Sequence, residues 1–304
     1  MTQIELRSTA ASAARRGHEE GASSHHLGQW SLVSLAAQGD LARIYLARPA
    51  EAPPDQSAAY ALKVLRPDRQ HDPRMVGLLM REAEVGHRVS HRHLVPVLSA
   101  SIRPPQPFLV MPWLEGSTLA GRLAAGRQFE LPVVLWIARQ IAQALDALHR
   151  AGFTHGDVKP SNVFLSPAGH VTLLDLGFAR RRNEPGSAVD RCILGTCNYM
   201  APELISTTWN ADIRSDVYSL GALLFELLSG RLPYAGNTLA AVAEHHQRSW
   251  PPNLGRLVPG LPLDVVRLVH QMLAKQPLRR PQTPRELIDR LTALEIATFS
   301  ERAF

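Results

Sequence analysis

The run His155-Gly156-Asp157-Val158-Lys159-Pro160-Ser161-Asn162, with Val171-Thr172-Leu173-Leu174-Asp175-Leu176-Gly177 downstream of it, decides how the rest of the chain is read. It sets a carboxylate, an ammonium, an amide and a second carboxylate in fixed order on polar stretches. Apolar and β-branched residues flank them. Val163-Phe164-Leu165 and Val171 to Leu174 read as two short strands around the turn Pro167-Ala168-Gly169. Two loops tied to one hairpin can hold such side chains in register. The order suits phosphoryl transfer: one carboxylate orients the attacking hydroxyl, a lysine meets the moving phosphate, and an amide and a second carboxylate hold magnesium.

Toward the N-terminus, Ala59 to Leu65 alternates around a single cation, Lys63. Alone, Lys63 reads as a solvent-facing lysine on an edge strand, and a buried acidic partner would make it a phosphate ligand. Met75 to Val89 has helical apolar spacing at Val76, Leu79 and Ala83 and offers Glu82, with Glu84 as the competing acid. Trp30 to Leu35 and Arg43 to Arg48 read as strands joined by the turn Ala37-Gln38-Gly39-Asp40. Phe108 to Leu114 reads as a buried strand that ends at Pro112, after which Ser117 is a plausible cap for a short helix. Pro132 to Arg150, apolar at 134, 137, 141, 145 and 148, is a long amphipathic helix that delivers the chain to the central run. Beyond that run come Gly195-Thr196-Cys197-Asn198-Tyr199-Met200-Ala201-Pro202-Glu203, then Asp216-Val217-Tyr218-Ser219-Leu220-Gly221, then Arg280-Pro281.

Each of these strings is short, but the ordered set is specific. It resembles the eukaryotic-type (Hanks-type) serine/threonine protein kinases of bacteria, over residues 30 to about 294. The resemblance implies an α+β, two-lobed fold with a small antiparallel-sheet N-lobe carrying one helix, a mainly helical C-lobe, and ATP in the cleft. It divides the chain into a disordered tail at 1–26, an N-lobe at 27–111 and a C-lobe at 112–304. It implies that Asp157 and Lys159 are catalytic and that Asn162 and Asp175 bind magnesium, for which manganese is a substitute. ATP would be met by Lys63 with Glu82, by the loop positions Ala37, Gly39, Ala42 and Ile44, by Ala61, and by Met111, Trp113 and Leu114 at the hinge. Thr196 would seat the protein substrate and bond to Asp157 and Lys159. Asp216 would brace the catalytic-loop backbone and Arg280 would pair with Glu203.

Two departures from the family pattern carry consequences. Only one glycine, Gly39, stands where the phosphate loop usually has three, and the alanines limit how closely backbone can approach phosphate. Gly156 replaces the arginine that anchors an activation-loop phosphate, making this a non-RD variant. Activity is therefore expected to be independent of activation-loop phosphorylation, and Ser187 is the acceptor to test.

Composition narrows the remaining possibilities. Hydrophobic content of 45% with 20% charged residues belongs to a folded globular protein. The net charge of +6 is carried by scattered arginines without an aromatic-interleaved basic stripe, which argues against nucleic acid and suits an anionic cosubstrate. Two cysteines, Cys192 and Cys197, exclude a disulfide scaffold. The expected location is cytoplasmic with no membrane span, since Arg139, Gln140, Gln143 and Asp146 interrupt the longest apolar run. The expected partners are ATP and proteins bearing Ser or Thr. Two rivals differ in class: a catalytically weak scaffold, supported by the poor glycine loop, and a small-molecule phosphotransferase, which shares His-Gly-Asp. Lys159, the peptide-seating string and Arg280 argue against the second.

Overall fold

The computed structural model describes residues 25–53, 55–103, 106–182, 184, 197–205, 212–234, 236 and 238–300. Ser187, Cys192 and Thr196 lie outside the described residues, as does the expected tail up to residue 24. The chain divides into two compact units, one formed by residues up to Ala83 together with Pro96–Leu114, the other by Glu84–Val95 and everything from Glu115 on.

The first unit is a six-stranded antiparallel sheet. Its strands are β1 (His25–Leu27), β2 (Trp30–Gln38), β3 (Ala42–Pro49), β4 (Tyr60–Leu65), β5 (Ser99–Ser101) and β6 (Phe108–Pro112), in the spatial order β1-β2-β3-β4-β6-β5. His25 and His26, expected to close a tail, instead begin the sheet, with His26 opposite Ser31. Their neighbour Leu27 explains the difference: it packs onto the cluster of Trp30, Ala47, Leu62, Val64, Phe108 and Val110. β2 and β3 run further toward their turn than the turn residues suggest, and β2 carries register shifts between Leu32 and Ser34 and between Leu35 and Ala37. Such bulges sharpen local twist and bend the hairpin. A second apolar cluster, Leu65, Leu79, Val97 and Leu109, joins the sheet to helix α1 (Pro73–Arg88).

In the second unit, α2 (Leu119–Ala124) is capped by Thr118, whose Oγ1 accepts from the Gly121 N–H at 3.2 Å, and not by Ser117 as the sequence suggested. Ser117 is committed elsewhere. It pairs with Leu165 in strand β7 (Ser117–Thr118), and its Oγ accepts from Arg122 Nε at 3.1 Å. Next to it Gly116 has φ +133, and a Cβ there would stand 2.3 Å from the Leu165 carbonyl oxygen. Gly116→Ala is therefore expected to destabilise the fold by about 1–3 kcal/mol. Chemical denaturation checks this, and an unchanged midpoint would show that the strand can retreat.

Helix α3 (Leu131–Arg150) is the core of this unit, burying Val134, Leu135, Ile137, Ala138, Ile141, Leu145 and Leu148. By length and composition alone it is apolar enough to cross a membrane, as the core helix of a globular fold can be. Most of it is buried within the fold, and its polar side chains have local work. Gln140 accepts from Val171 N–H at 3.0 Å and donates to Gly169 O at 3.0 Å. Around α3 stand β8 (Phe153–Thr154), the hairpin β9 (Val163–Leu165) and β10 (Val171–Leu173), and β11 (Arg180–Arg181). The helices that follow are α4 (Pro202–Ile205), α5 (Ile213–Ser229), α6 (Leu239–Arg248), α7 (Leu254–Leu257), α8 (Leu263–Met272) and α9 (Pro284–Ser300).

Candidate active site

In the first unit, the sheet register aligns the residues expected to meet ATP. Ala37 pairs with Ile44, Ile44 with Lys63, and Ala61 with Met111. Gly39 closes the β2–β3 turn by donating its N–H to Ala42 O at 2.9 Å. Ala42, Ala61, Lys63 and Met111 are buried. Lys63 does not lie on an edge strand: β4 is flanked by β3 and β6. Its Nζ donates to Glu82 Oε2 at 2.6 Å, with Glu82 only 2% exposed. Burying an ammonium is costly unless it is paired and hydrogen-bonded, and α1 supplies the partner. Glu84, the competing acid, faces elsewhere and accepts from Arg181 at 2.7 Å. Past the strand, the Trp113 N–H donates to Ala59 O at 2.9 Å, which restricts any nucleotide contact of its backbone to the carbonyl. Leu114 closes this unit.

In the second unit, Asp157, Lys159, Asn162 and Asp175 are assembled around the β9–β10 hairpin. A single turn of 3-10 helix, Pro160–Asn162, starts at a proline whose missing N–H costs nothing there. This turn folds Asn162 back, so that its Nδ2 donates to both Asp157 O and Asp157 Oδ2 at 2.8 Å. Lys159 Nζ lies 3.0 Å from the same Oδ2. The other oxygen, Asp157 Oδ1, is buried and has no hydrogen-bond partner among the described residues. One carboxylate oxygen is thus fixed by two donors while the second is left as an acceptor. A buried acceptor without a partner costs about 1–3 kcal/mol, a cost that substrate would relieve.

The backbone beneath Asp157 is held by Asp216, which α5 presents at 1% exposure. Its Oδ2 accepts from His155 N–H and its Oδ1 from Gly156 N–H, each at 2.7 Å. Gly156 sits at φ +77, a left-handed conformation that glycine takes without a Cβ penalty. His155 Nδ1 accepts from Asp157 N–H at 3.2 Å, and the opposite ring nitrogen, Nε2, donates to Leu174 O at 3.1 Å. That pattern fixes a neutral imidazole as a strut between the two loops. Leu174 N–H also donates to Asn162 O at 2.8 Å. The next residue, Asp175, has φ +64, the only positive φ of a non-glycine residue among those described. Its Oδ1 accepts from Gly177 N–H at 3.2 Å. An aspartate tolerates this region better than most residues, and strain of this kind persists only where surrounding contacts over-determine it.

One support has only a faint signal in the sequence. β10 is flanked by the segment His93–Val95: Leu173 N–H donates to His93 O at 2.8 Å, Val95 N–H to Leu173 O at 3.0 Å, and His93 Nδ1 bonds Val171 O at 2.8 Å. Burial pushes the His93 imidazole down to about 4, so it stays neutral in that role. Nothing in the local pattern of His91-Arg92-His93 distinguishes such a strut from a surface histidine. The Arg280–Glu203 pair, by contrast, was expected, and it forms a fork with contacts of 2.6 and 2.7 Å. Ser215 Oγ donates to the same Glu203 at 2.8 Å.

The protein kinase domain family model matches residues 37–290. Among curated proteins, the chain is 33% identical over 270 residues to a probable serine/threonine-protein kinase of Streptomyces coelicolor, covering 86% of this chain and 39% of that protein. It is 32% identical to the serine/threonine-protein kinase PknB of Mycobacterium tuberculosis, covering 87% of this chain and 42% of the relative. It is 28% identical to the serine/threonine-protein kinase PrkC of Bacillus subtilis, covering 91% and 42%. The chain thus spans about two fifths of the length of these relatives.

Proposed function

The chain belongs to the protein kinase domain family, and from that premise we propose that it transfers the γ-phosphoryl group of ATP to Ser or Thr hydroxyls of proteins. The observation that carries this reading is the asymmetry of Asp157: Oδ2 is held by Lys159 and Asn162, and Oδ1 is buried without a partner among the described residues. Oδ1 would accept the hydrogen bond of the substrate hydroxyl and take its proton as the oxygen attacks phosphorus. Lys159, already beside Asp157, would stabilise the charge of the transferring group. Lys63, held by Glu82, would position the α- and β-phosphates.

Members of this family use ATP with magnesium. The residues present fit a hard cation. Asn162 spends its amide nitrogen on Asp157 and keeps its carbonyl oxygen, and Asp175 adds a carboxylate. No group of three or more His, Cys, Asp or Glu suited to a metal occurs among the described residues. Asn162 and Asp175 are the residues that would hold it. Bound magnesium would neutralise charge on the phosphate oxygens. Protein substrates belong to the same proposal, supported by the resemblance and by the names of the relatives, and cytoplasmic action belongs to it as the expectation drawn from the sequence.

The test pairs binding with transfer. The chain is incubated with labelled ATP, magnesium or manganese, and a basic protein substrate, and nucleotide binding is measured alongside. Wild type should label Ser or Thr, and Asp175→Asn should lose at least about a hundredfold in rate through its metal site. Binding without transfer in wild type, under both metals, would replace this reading with the scaffold.

A further inference from the structure

Helix α1 is held by two ion pairs, and only one of them belongs to the chemistry described above. Glu82 meets Lys63. Glu84, two residues on, meets Arg181, whose Nη2 donates to its Oε1 at 2.7 Å. Two residues of α-helix advance by about 200°, so the two carboxylates leave the helix on nearly opposite sides. The apolar residues of the helix divide along its length. Val76, Leu79 and Ala83 join the cluster of Leu65, Val97 and Leu109, while Val85 and Val89 enter the large core of the second unit.

Arg181 is built to act as an anchor. It lies in β11 opposite Phe153 of β8, and its guanidinium stands 5.8 Å from the centroid of the Phe153 ring. Its N–H donates to Glu184 Oε2 at 3.0 Å, and the Glu184 N–H returns to Arg181 O at 3.0 Å. β8 runs directly into His155, Gly156 and Asp157, and β11 begins shortly after Gly177, whose N–H donates to Asp175. This two-stranded sheet therefore stands where the chain enters the Asp157 loop and where it leaves the Asp175 loop. Arg181 ties the sheet to the helix that presents Glu82. Arg88 also approaches Glu84, at 3.5 Å, but it belongs to the same helix and so anchors α1 to nothing beyond itself.

We propose that Arg181 is a positioning residue for the Lys63–Glu82 pair: through Glu84 it fixes the roll of α1 about its axis and so keeps Glu82 on Lys63. The proposal rests on the kinase reading above, in which that pair positions the ATP phosphates. Apolar packing is non-directional and resists a small roll less than a short, aligned hydrogen bond does. A second bond on the far side of the helix opposes the turn that would carry Glu82 away from the amine. The two side chains are 54% and 35% exposed, so the pair is modest in strength and screened by salt. It tunes a contact and does not hold the fold.

The test compares wild type with Arg181→Gln, Glu84→Gln and the double variant, by titration with magnesium-ATP and by initial rates on a basic protein substrate at low salt. Each single variant should weaken ATP binding and raise the KM for ATP about three- to fivefold, while the KM for the protein substrate and the thermal midpoint stay where they are. The double variant should lose no more than either single one, because both remove the same bond. High salt should narrow the gap between wild type and the variants. Variants that bind ATP as wild type does, or losses that add in the double variant, overturn the proposal. A wild type that binds ATP without transferring its phosphoryl group fails the kinase reading alone, since the titration still reads the pair. One that binds no ATP fails both.

Discussion

Asp157→Asn is expected to lower phosphoryl transfer to a protein substrate by about 10²–10⁴-fold, while the thermal midpoint stays close to wild type. Asparagine has nearly the same shape, and with its carbonyl oxygen in the place of Oδ2 it can still accept from Asn162 Nδ2 and Lys159 Nζ. What changes is the other position. There an acceptor without a partner becomes an amide NH2, which cannot take a proton from a hydroxyl. The loss should therefore fall on turnover more than on ATP binding, read as initial rates with labelled ATP beside a nucleotide titration. A variant within tenfold of wild type would show that the substrate hydroxyl is deprotonated by another group.

The second large effect is on stability. Arg280→Ala is expected to cost about 3–5 kcal/mol, because it removes both contacts of the fork from Glu203, a carboxylate only 9% exposed. The guanidinium also donates to Arg214 O at 2.8 Å, Ala274 O at 2.8 Å and Lys275 O at 3.1 Å, so three carbonyls lose a donor with it. Replacing both partners, as Glu203→Leu with Arg280→Met, should cost less than the single change, since no buried carboxylate remains. Urea denaturation of the three variants gives the comparison. A single variant within about 1 kcal/mol of wild type would mean that water reaches the carboxylate.

The sequence was most informative where residue type and spacing carry the chemistry. Asp157, Lys159, Asn162 and Asp175 sit on stretches whose strands and turns follow from β-branched runs and a Pro-Ala-Gly turn. The hairpin Val163–Leu165 with Val171–Leu173 therefore lies where the pattern put it. Apolar spacing placed the strand of Lys63 and the helix of Glu82, and the resemblance chose Glu82 over Glu84 as the partner. What escaped were contacts whose partners are distant in sequence and ordinary in type. Ser117 and Thr118 are equally good caps by chemistry, and only the pairing of Ser117 with Leu165 decides between them. α3 passes a membrane-span test because a helix buried on most sides and one dissolved in lipid need the same side chains. Its packing within the second unit is a property of the fold, not of the segment.

The β9–β10 turn has a consequence for anyone who wishes to add sequence to this protein. Hairpin tips are the usual place for tags or inserted domains, because their backbone answers only to solvent. Here the Gly169 carbonyl receives Trp136 Nε1 and Gln140 Nε2, Gly169 N–H donates to Ser166 O, and Ser166 Oγ receives the His170 N–H. An insertion at this tip would unfasten the hairpin from the long helix at the same time as it lengthened the connection between Asn162 and Asp175. The loop that looks most dispensable is a poor graft site.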